Sequence, residues 1–371
     1  MNIQNKVPKY IQLISQIKSW VISGKMEPGQ QIPTEHELAQ QFNISRHTVR
    51  QAIHELVHEK WLYKEQGKGT FFCPTLPGHQ PENSSQSHMI GVVTTYISDY
   101  IFPSIIRGIE SYLTPKGYSI LLLSTNNDFA QEAKALEIIM NKQVDGLIIE
   151  PTKSTYPNPN LEYYLSLLGK RIPFLMLHAS YEELGCTTIK VDDERGGKLA
   201  ANHLINLGYR RIGAIFKSDD LQGKYRLKGF LNALQENSLT FYSDLISLYT
   251  TEQKDLVSKK YADFICTKPV EQRPDAIVCY NDEIAIQLIQ QLKNYEIRVP
   301  DDISIVGFDD SKLATISDVQ LTTISHPKFE MGMKAAETIL HLIQNADITT
   351  NHSMDYTFEP ELIVRNTTKN K

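Results

Sequence analysis

Ile32-Pro33-Thr34-Glu35-His36-Glu37-Leu38, then Ile44-Ser45-Arg46-His47-Thr48-Val49-Arg50, then Gly67-Lys68-Gly69-Thr70: these three segments decide how the chain is read. Thr34 with Glu37 three residues on is a capping box, which starts a helix running to about Phe42. Leu38 and Phe42, four apart, share the buried face of that helix. Asn43-Ile44 makes a turn. Ser45 then caps a second helix, with Val49, Ile53, Leu56 and Val57 as its apolar stripe. Arg46 and Arg50 are four apart and project together from another face. Residues 61–65 and 70–73 read as short strands. Gln66-Gly67-Lys68-Gly69 joins them, with two glycines that permit a tight tip around a lysine. Helix, turn, helix and basic hairpin in this order imply a winged helix-turn-helix that binds duplex DNA. The early turns of the second helix, with Ser45, Arg46, Thr48 and Arg50, are where such modules meet base edges, and an arginine fork matches guanine or a phosphate.

Charge agrees weakly. Residues 1–73 hold nine Lys/Arg against six Asp/Glu, a balance of +3, whereas the 371-residue chain carries −5. A basic module on an acidic body suits nucleic-acid contact through one end only. One motif in the second helix points elsewhere. His54-Glu55-Leu56-Val57-His58 is a literal H-E-x-x-H, which on a helix can ligate zinc. Leu56 and Val57 belong to the core stripe, however, and a small winged helix offers no cleft and no third ligand. The two histidines are therefore expected on the exposed back of the helix, with no metal.

The quoted segments resemble the GntR winged-helix signature. Pro8-Lys9-Tyr10, Pro28-Gly29, Ile32 to Glu35, Glu37-Leu38-Ala39, Ile44-Ser45-Arg46, Thr48-Val49-Arg50 and Gly67 to Phe71 carry the resemblance over about residues 7–73. Lys60-Trp61 departs from it, where the family usually has a glycine before an apolar pair. The resemblance implies that Lys9, Arg46, Arg50 and Gln66 to Thr70 touch DNA, and that a dimer binds a near-palindrome.

Outward from this head, residues 74–88 hold three prolines, a glycine and several serines without periodicity, and read as a tether. Hydrophobic content of 41% and charged content of 22% are ordinary for a soluble protein. No apolar run is long enough to span a membrane, and the N-terminus has no apolar signal-peptide core, so the expected location is the cytoplasm. The four cysteines show no C-x-x-C spacing and read as reduced thiols.

Residues 89–371 alternate short apolar strands with helical patterns. Strands are expected at 89–94, 119–123, 146–150, 173–178, 189–191, 212–216, 276–280 and 303–307. This is an α/β class with parallel sheets covered on both faces. The number of units suggests two similar lobes, near 89–182 and 188–317. Ligands of such sheets bind beyond the carboxyl ends of strands. The residues there are Tyr96, Ser98, Asp99, Tyr100 and Phe102, then Glu150, His178, Arg226, Asn281-Asp282 and Asp309-Asp310. Carboxylates, amides and aromatic faces suit a neutral polyol, whose hydroxyls want donors and acceptors and whose ring faces pack on aromatics. Asn281 is equally well read as a helix cap, Asp310 reads first as structural, and a core reading of Tyr96 and Phe102 is the lesser alternative. No G-x-S-x-G, G-x-x-x-x-G-K-[ST] or G-x-G-x-x-G occurs, so no enzyme is expected.

The order Asp192 to Gly197, His203-Leu204-Ile205, Leu207 to Gly213, Arg226 with Gly229-Phe230, Pro274 to Ile277, Asn281-Asp282, Val299 to Asp310 and Leu321 to Ile324 resembles the LacI/GalR effector domain, itself similar to periplasmic sugar-binding proteins. The resemblance implies Arg226, Asn281 and Asp309 as sugar ligands, with His178 at another sugar-contacting position. A GntR head on a LacI-type body resembles the arabinose-responsive repressors. That resemblance alone implies L-arabinose as effector, a homodimer, an operator in duplex DNA and no other cofactor. The expected layout is a DNA-binding head at 1–73, a linker at 74–88 and a two-lobed sugar-binding and dimerisation domain at 89–371. Two rivals stay open: a corepressor response to another sugar or a purine, and a cytosolic sugar-processing enzyme with a regulatory head.

Overall fold

The computed structural model describes residues 8–22, 25–65, 67–73, 87–98, 100–316, 320–345 and 354–371. Gln66, Asp99 and the linker stretch 74–86 lie outside the described residues. The chain divides into two units, Met1–Gln86 and Ser87–Lys371.

In the first unit, α1 spans Lys9–Ile22, α2 Glu35–Gln41 and α3 Arg46–His58, followed by the antiparallel pair β1 (Leu62–Glu65) and β2 (Gly69–Phe72). The capping box forms: Thr34 accepts from Glu37 N–H, and the Glu37 carboxylate accepts from Thr34 N–H at 2.7 Å. Asn43 makes the turn at φ +50°, a left-handed conformation that asparagine tolerates better than most residues. Ser45 caps α3 by accepting from Thr48 N–H at 3.2 Å. Leu13, Ile17 and Trp20 of α1 meet Leu38 and the α3 stripe Val49, Ala52, Ile53 and Leu56 in one buried core. His54 and His58 are exposed. The Gln31–Phe71 bridge adds a third short strand segment to the hairpin.

The second unit opens with β3 (Met89–Thr94), α4 (Phe102–Leu113), β4 (Ser119–Ser124), α5 (Phe129–Asn141), β5 (Gly146–Ile149), α6 (Leu161–Gly169), β6 (Phe174–Leu177) and β7 (Thr188–Val191). It continues through α7 (Asp193–Asn206), β8 (Ile212–Lys217), α8 (Leu221–Glu236), β9 (Ile246–Tyr249), α9 (Lys254–Thr267), β10 (Ala276–Cys279), α10 (Asp282–Lys293), β11 (Ser304–Asp309), α11 (Leu313–Ile316) and β12 (Thr322–Ser325). It closes with α12 (Lys328–Gln344), β13 (Tyr356–Phe358) and β14 (Leu362–Ile363). Among the described residues no helix is long and apolar enough to cross a membrane.

Two six-stranded sheets result, ordered β13-β7-β6-β5-β3-β4 and β14-β12-β11-β10-β8-β9. All pairings are parallel except β14 against β12. The expected division of the lobes is corrected here. β7 pairs with β6 and so belongs to the first lobe, and α12 with β13 also returns there. Among the described residues the chain therefore passes between lobes three times: after β7, between β12 and α12, and between β13 and β14. The sequence reading also missed β9, β12, β13 and β14. β9 is a half-exposed edge strand and β12 opens on two threonines, so neither shows an apolar run.

Helix pairs cover the sheets at close range. A Cβ on Gly229 of α8 would overlap the Glu194 carbonyl of α7, and one on Gly197 the Arg226 carbonyl. Backbone atoms cannot give way as a flexible side chain can. Gly229→Ala is therefore expected to cost about 1–3 kcal/mol through overpacking. Urea denaturation reads this directly, and an unchanged midpoint would disprove the tight crossing.

Candidate functional site

On the head, Ser45, Arg46 and Arg50 are exposed at the start of α3, and Thr48 is half-buried with its hydroxyl 2.9 Å from Ser45 Oγ. Arg50 Nε donates to Glu35 at 2.7 Å, and Arg46 Nη2 lies 2.9 Å from His36 Nδ1. Both partners sit on α2, so each guanidinium is held at the helix-turn-helix face by an exposed contact that nucleic acid can replace. Lys9 is exposed at the start of α1. At the wing, Gly67 and Gly69 take φ of +78° and +132°, with exposed Lys68 between them. Gln31 donates to Lys68 O at 2.8 Å and braces the tip, a support that local pattern reading did not find. Thr70 is half-buried beside it.

In the second unit, a cavity of about 790 Å³, open mouth included, lies between the lobes at the carboxyl ends of their strands. Tyr96, Phe102, Glu150, His178, Asn281 and Asp309 all line it. Tyr96 and Phe102 form an aromatic wall with ring centroids 5.9 Å apart. Asn281 caps α10 through Oδ1, which accepts from Ile284 N–H at 3.0 Å, so its amide N–H2 remains for the cavity. The cap and binding readings of Asn281 are thus compatible. Asp309 holds φ +94°, an uncommon backbone for a residue with a side chain, and lines the site.

Arg226 is placed differently from the other six. It is 1% exposed and stands behind the cavity wall. Nε donates to Asp193 at 2.7 Å, Nη1 to the Tyr280 carbonyl at 2.7 Å and Nη2 to Asp309 at 3.3 Å. Its Cζ lies 3.6 Å from the Phe308 ring centroid. Burial pushes the Asp193 carboxyl up to about 6 despite the nearby guanidinium. In this conformation Arg226 reaches the cavity through Asp309, which it orients.

Several lining residues escaped sequence reading. Lys217 ends β8, and Asp220 caps α8 while accepting from Lys217 at 3.0 Å and from Tyr280 Oη at 2.8 Å. Burial would lower the Lys217 ammonium, but Asp220 and Asp219 outweigh it and hold it above its ordinary value. The strand-then-aspartate pattern at 212–220 was available as a signal. The Lys254–Glu283 pair, 2.8 Å apart, is formed by two helices and carries no such local mark.

The lobes touch directly around this cavity. Lys153 meets Glu252 at 2.5 Å, Asn127 donates to Thr251 at 2.5 Å, and Leu221 N–H donates to Ser154 Oγ at 2.9 Å. Tyr100 Oη lies 2.7 Å from Asp309 Oδ2 and accepts from Asp282 N–H at 3.1 Å. These contacts describe a closed cleft. Among the described residues no cluster of His, Cys, Asp and Glu is arranged to hold a metal ion.

Comparison with known proteins places both units. Residues 9–72 match the family model for bacterial regulatory proteins of the gntR family, and residues 201–368 match a periplasmic binding protein-like domain. The arabinose metabolism transcriptional repressor of Geobacillus stearothermophilus is 50% identical over 366 residues, covering 99% of each chain. The repressor of the same description from Halalkalibacterium halodurans is 45% identical, covering 97% of this chain and 96% of its own. Among solved structures, a periplasmic binding protein/LacI transcriptional regulator from Alkaliphilus metalliredigens, complexed with D-xylulofuranose, superposes with a TM-score of 0.63 at 25% identity, covering 76% of this chain and 99% of its own.

Proposed function

Since the chain belongs to the arabinose metabolism transcriptional repressors, with a GntR-type head and a periplasmic-binding-protein-like body, we propose that L-arabinose is its effector and releases it from its operator. The observation that carries this reading is the cavity. Carboxylates of Glu150 and Asp309, the free amide of Asn281 and the aromatic faces of Tyr96 and Phe102 converge on a space suited to a small neutral polyol. Each hydroxyl of a pentose can donate to a carboxylate and accept from an amide, and its C–H face packs on a ring. The relatives' description as repressors of arabinose metabolism supports arabinose over other sugars.

In this reading Lys9, Ser45, Arg46, Thr48, Arg50 and Gln66 to Thr70 contact operator DNA as part of a homodimer on a palindromic site. Tyr96, Phe102, Glu150, His178, Asn281 and Asp309 surround the sugar, with Arg226 orienting Asp309. Sugar stabilises one arrangement of the two lobes and so changes the spacing of the paired heads. A coupling of about 1–3 kcal/mol would lower operator affinity about 5–150-fold, and operator must weaken sugar binding by the same factor.

Calorimetric titration with L-arabinose beside D-xylose, D-ribose, D-galactose and guanine tests the assignment. Selective binding of L-arabinose, with release of an operator duplex on its addition, is the expected result. Preferential binding of another ligand would overturn the arabinose assignment, and tighter operator binding on sugar addition would overturn its sign. Sedimentation of the protein with and without operator reads the dimer.

A further inference from the structure

We infer that His326, which lies outside the cavity wall, is a positioning residue that links the ligand cavity to an inter-lobe crossover through His178. This rests on the cavity being the effector site, as proposed above.

The hydrogen bonds around Glu150 orient both histidines. Glu150 Oε2 accepts from Thr95 N–H at 2.8 Å and from the Thr95 hydroxyl at 2.6 Å, and Oε1 lies 2.9 Å from His178 Nδ1. An ionised carboxylate only accepts, so His178 Nδ1 carries a proton. His178 Nε2 then faces His326 Nε2 at 3.1 Å, with the two rings edge-on at 67°. On a neutral His178 that nitrogen is an acceptor, which makes His326 Nε2 the donor. His326 Nδ1 is left as a bare lone pair: it is buried and has no hydrogen-bond partner among the described residues. Burial pushes the His326 imidazole well below its usual range, and His178, Lys328 and Arg226 add to the effect.

Both ring nitrogens of His178 are thereby in use, and among the described residues the His326 ring has one hydrogen bond, which orients it. His326 also occupies a particular place in the chain. It lies between Ser325, the last residue of β12 in the second lobe, and Lys328, the first of α12 on the first lobe. Lys328 Nζ donates to the carbonyls of Asp309, Asp310 and His326 at 2.6, 2.9 and 3.0 Å. The crossover is thus tied to two cavity-lining residues on opposite lobes, to His178 by the imidazole pair and to Asp309 by the lysine. His178 and Asp309 both hold positive φ, +64° and +94°. Such conformations persist only where surroundings impose them, and they cluster at switch regions. A sugar hydroxyl that bonds Glu150 or His178 competes within this row. It moves the hydrogen bond that orients the His326 ring, and the segment joining the lobes moves with it.

The test uses the full-length protein and fluorescence anisotropy of an operator duplex, with and without saturating L-arabinose. His326→Leu is expected to bind operator in the absence of sugar within about twofold of wild type, while the factor by which sugar weakens binding falls by about tenfold or to unity. His326→Gln, whose Nε2 amide can donate from the same place, is expected to restore most of the response. An undiminished response in His326→Leu overturns the inference. So does a His326→Gln variant that folds yet is as unresponsive as His326→Leu, because packing alone would then account for the residue. Should wild type not respond to L-arabinose, the effector assignment falls on its own. The relay is then decided without sugar by long-range nitrogen–proton NMR of the free protein, which also serves if His326→Leu does not fold. A His178 ring protonated at Nδ1 supports the relay, and one protonated only at Nε2 overturns it.

Discussion

Arg226→Ala is expected to destabilise the two-lobed body by about 3–5 kcal/mol, the loss seen when one partner of a buried ion pair is removed. The guanidinium is 1% exposed, with three donors satisfied by Asp193, Asp309 and the Tyr280 carbonyl. Alanine leaves two buried carboxylates without their cation and a void beside Phe308. The loss also depends on pH. The Asp193 carboxyl is already pushed up, from 3.8 to about 6, by burial. A carboxyl raised in the folded state contributes stability that is fully present below its unfolded value and is lost as pH rises through its folded one. Without Arg226 that folded value rises further, so the variant's deficit should be larger at pH 8 than at pH 5. Urea denaturation at both pH values measures this. The transition of the body should move and that of the head should not. A loss under about 1 kcal/mol, or one independent of pH, would contradict the arrangement. A weakened sugar response in this variant, by itself, would not assign Arg226 as a direct ligand.

Arg50→Ala and Arg46→Ala are each expected to cost about 1–3 kcal/mol of operator affinity, and to leave sugar binding and the stability of the head nearly unchanged. The apolar face of α3, with Val49, Ala52, Ile53 and Leu56, is packed against α1 and α2, whereas both arginines stand on its exposed side. The contacts they give up, to Glu35 and to His36, are exposed, and such pairs contribute little to stability. Anisotropy titrations over a range of salt separate the two roles an arginine can play. Loss of a base contact relaxes preference for the operator over other duplexes. Loss of a phosphate contact weakens all duplexes alike and flattens the salt dependence. Undiminished affinity in both variants would refute the proposed reading surface.

The winged helix was legible because each of its signals is local. Thr34 and Glu37 are three residues apart, Asn43 tolerates the left-handed turn, Ser45 and Thr48 make the second cap, and Gly67 with Gly69 frame the wing tip. Eight strands of the body were legible for the same reason, as short apolar runs. The residues that end those strands were legible too, because strand ends set the rim of an open parallel sheet. That placed Tyr96, Glu150, His178, Asn281 and Asp309 beside one another before any pairing was known.

Pairings over long separations were not legible. Whether β7 opens the second lobe or closes the first depends on its bonds to β6 and β13, and β13 is more than 160 residues away. That Arg226 stands behind the cavity depends on Asp193 and Asp309, which are 33 and 83 positions distant. Tyr100 meets Asp309 across 209 positions, and His178 meets His326 across 148. Spacing along a chain encodes caps, turns and amphipathic faces because those interactions close within one or two turns of backbone. The sequence by itself therefore determined the head, the two sheets' strand inventory in outline and the chemistry of the rim. Only the tertiary structure decided which lobe owns each strand, which charged groups are sealed from water, and which histidine stands at the crossover, because burial and lobe-to-lobe contact arise where distant segments are brought together.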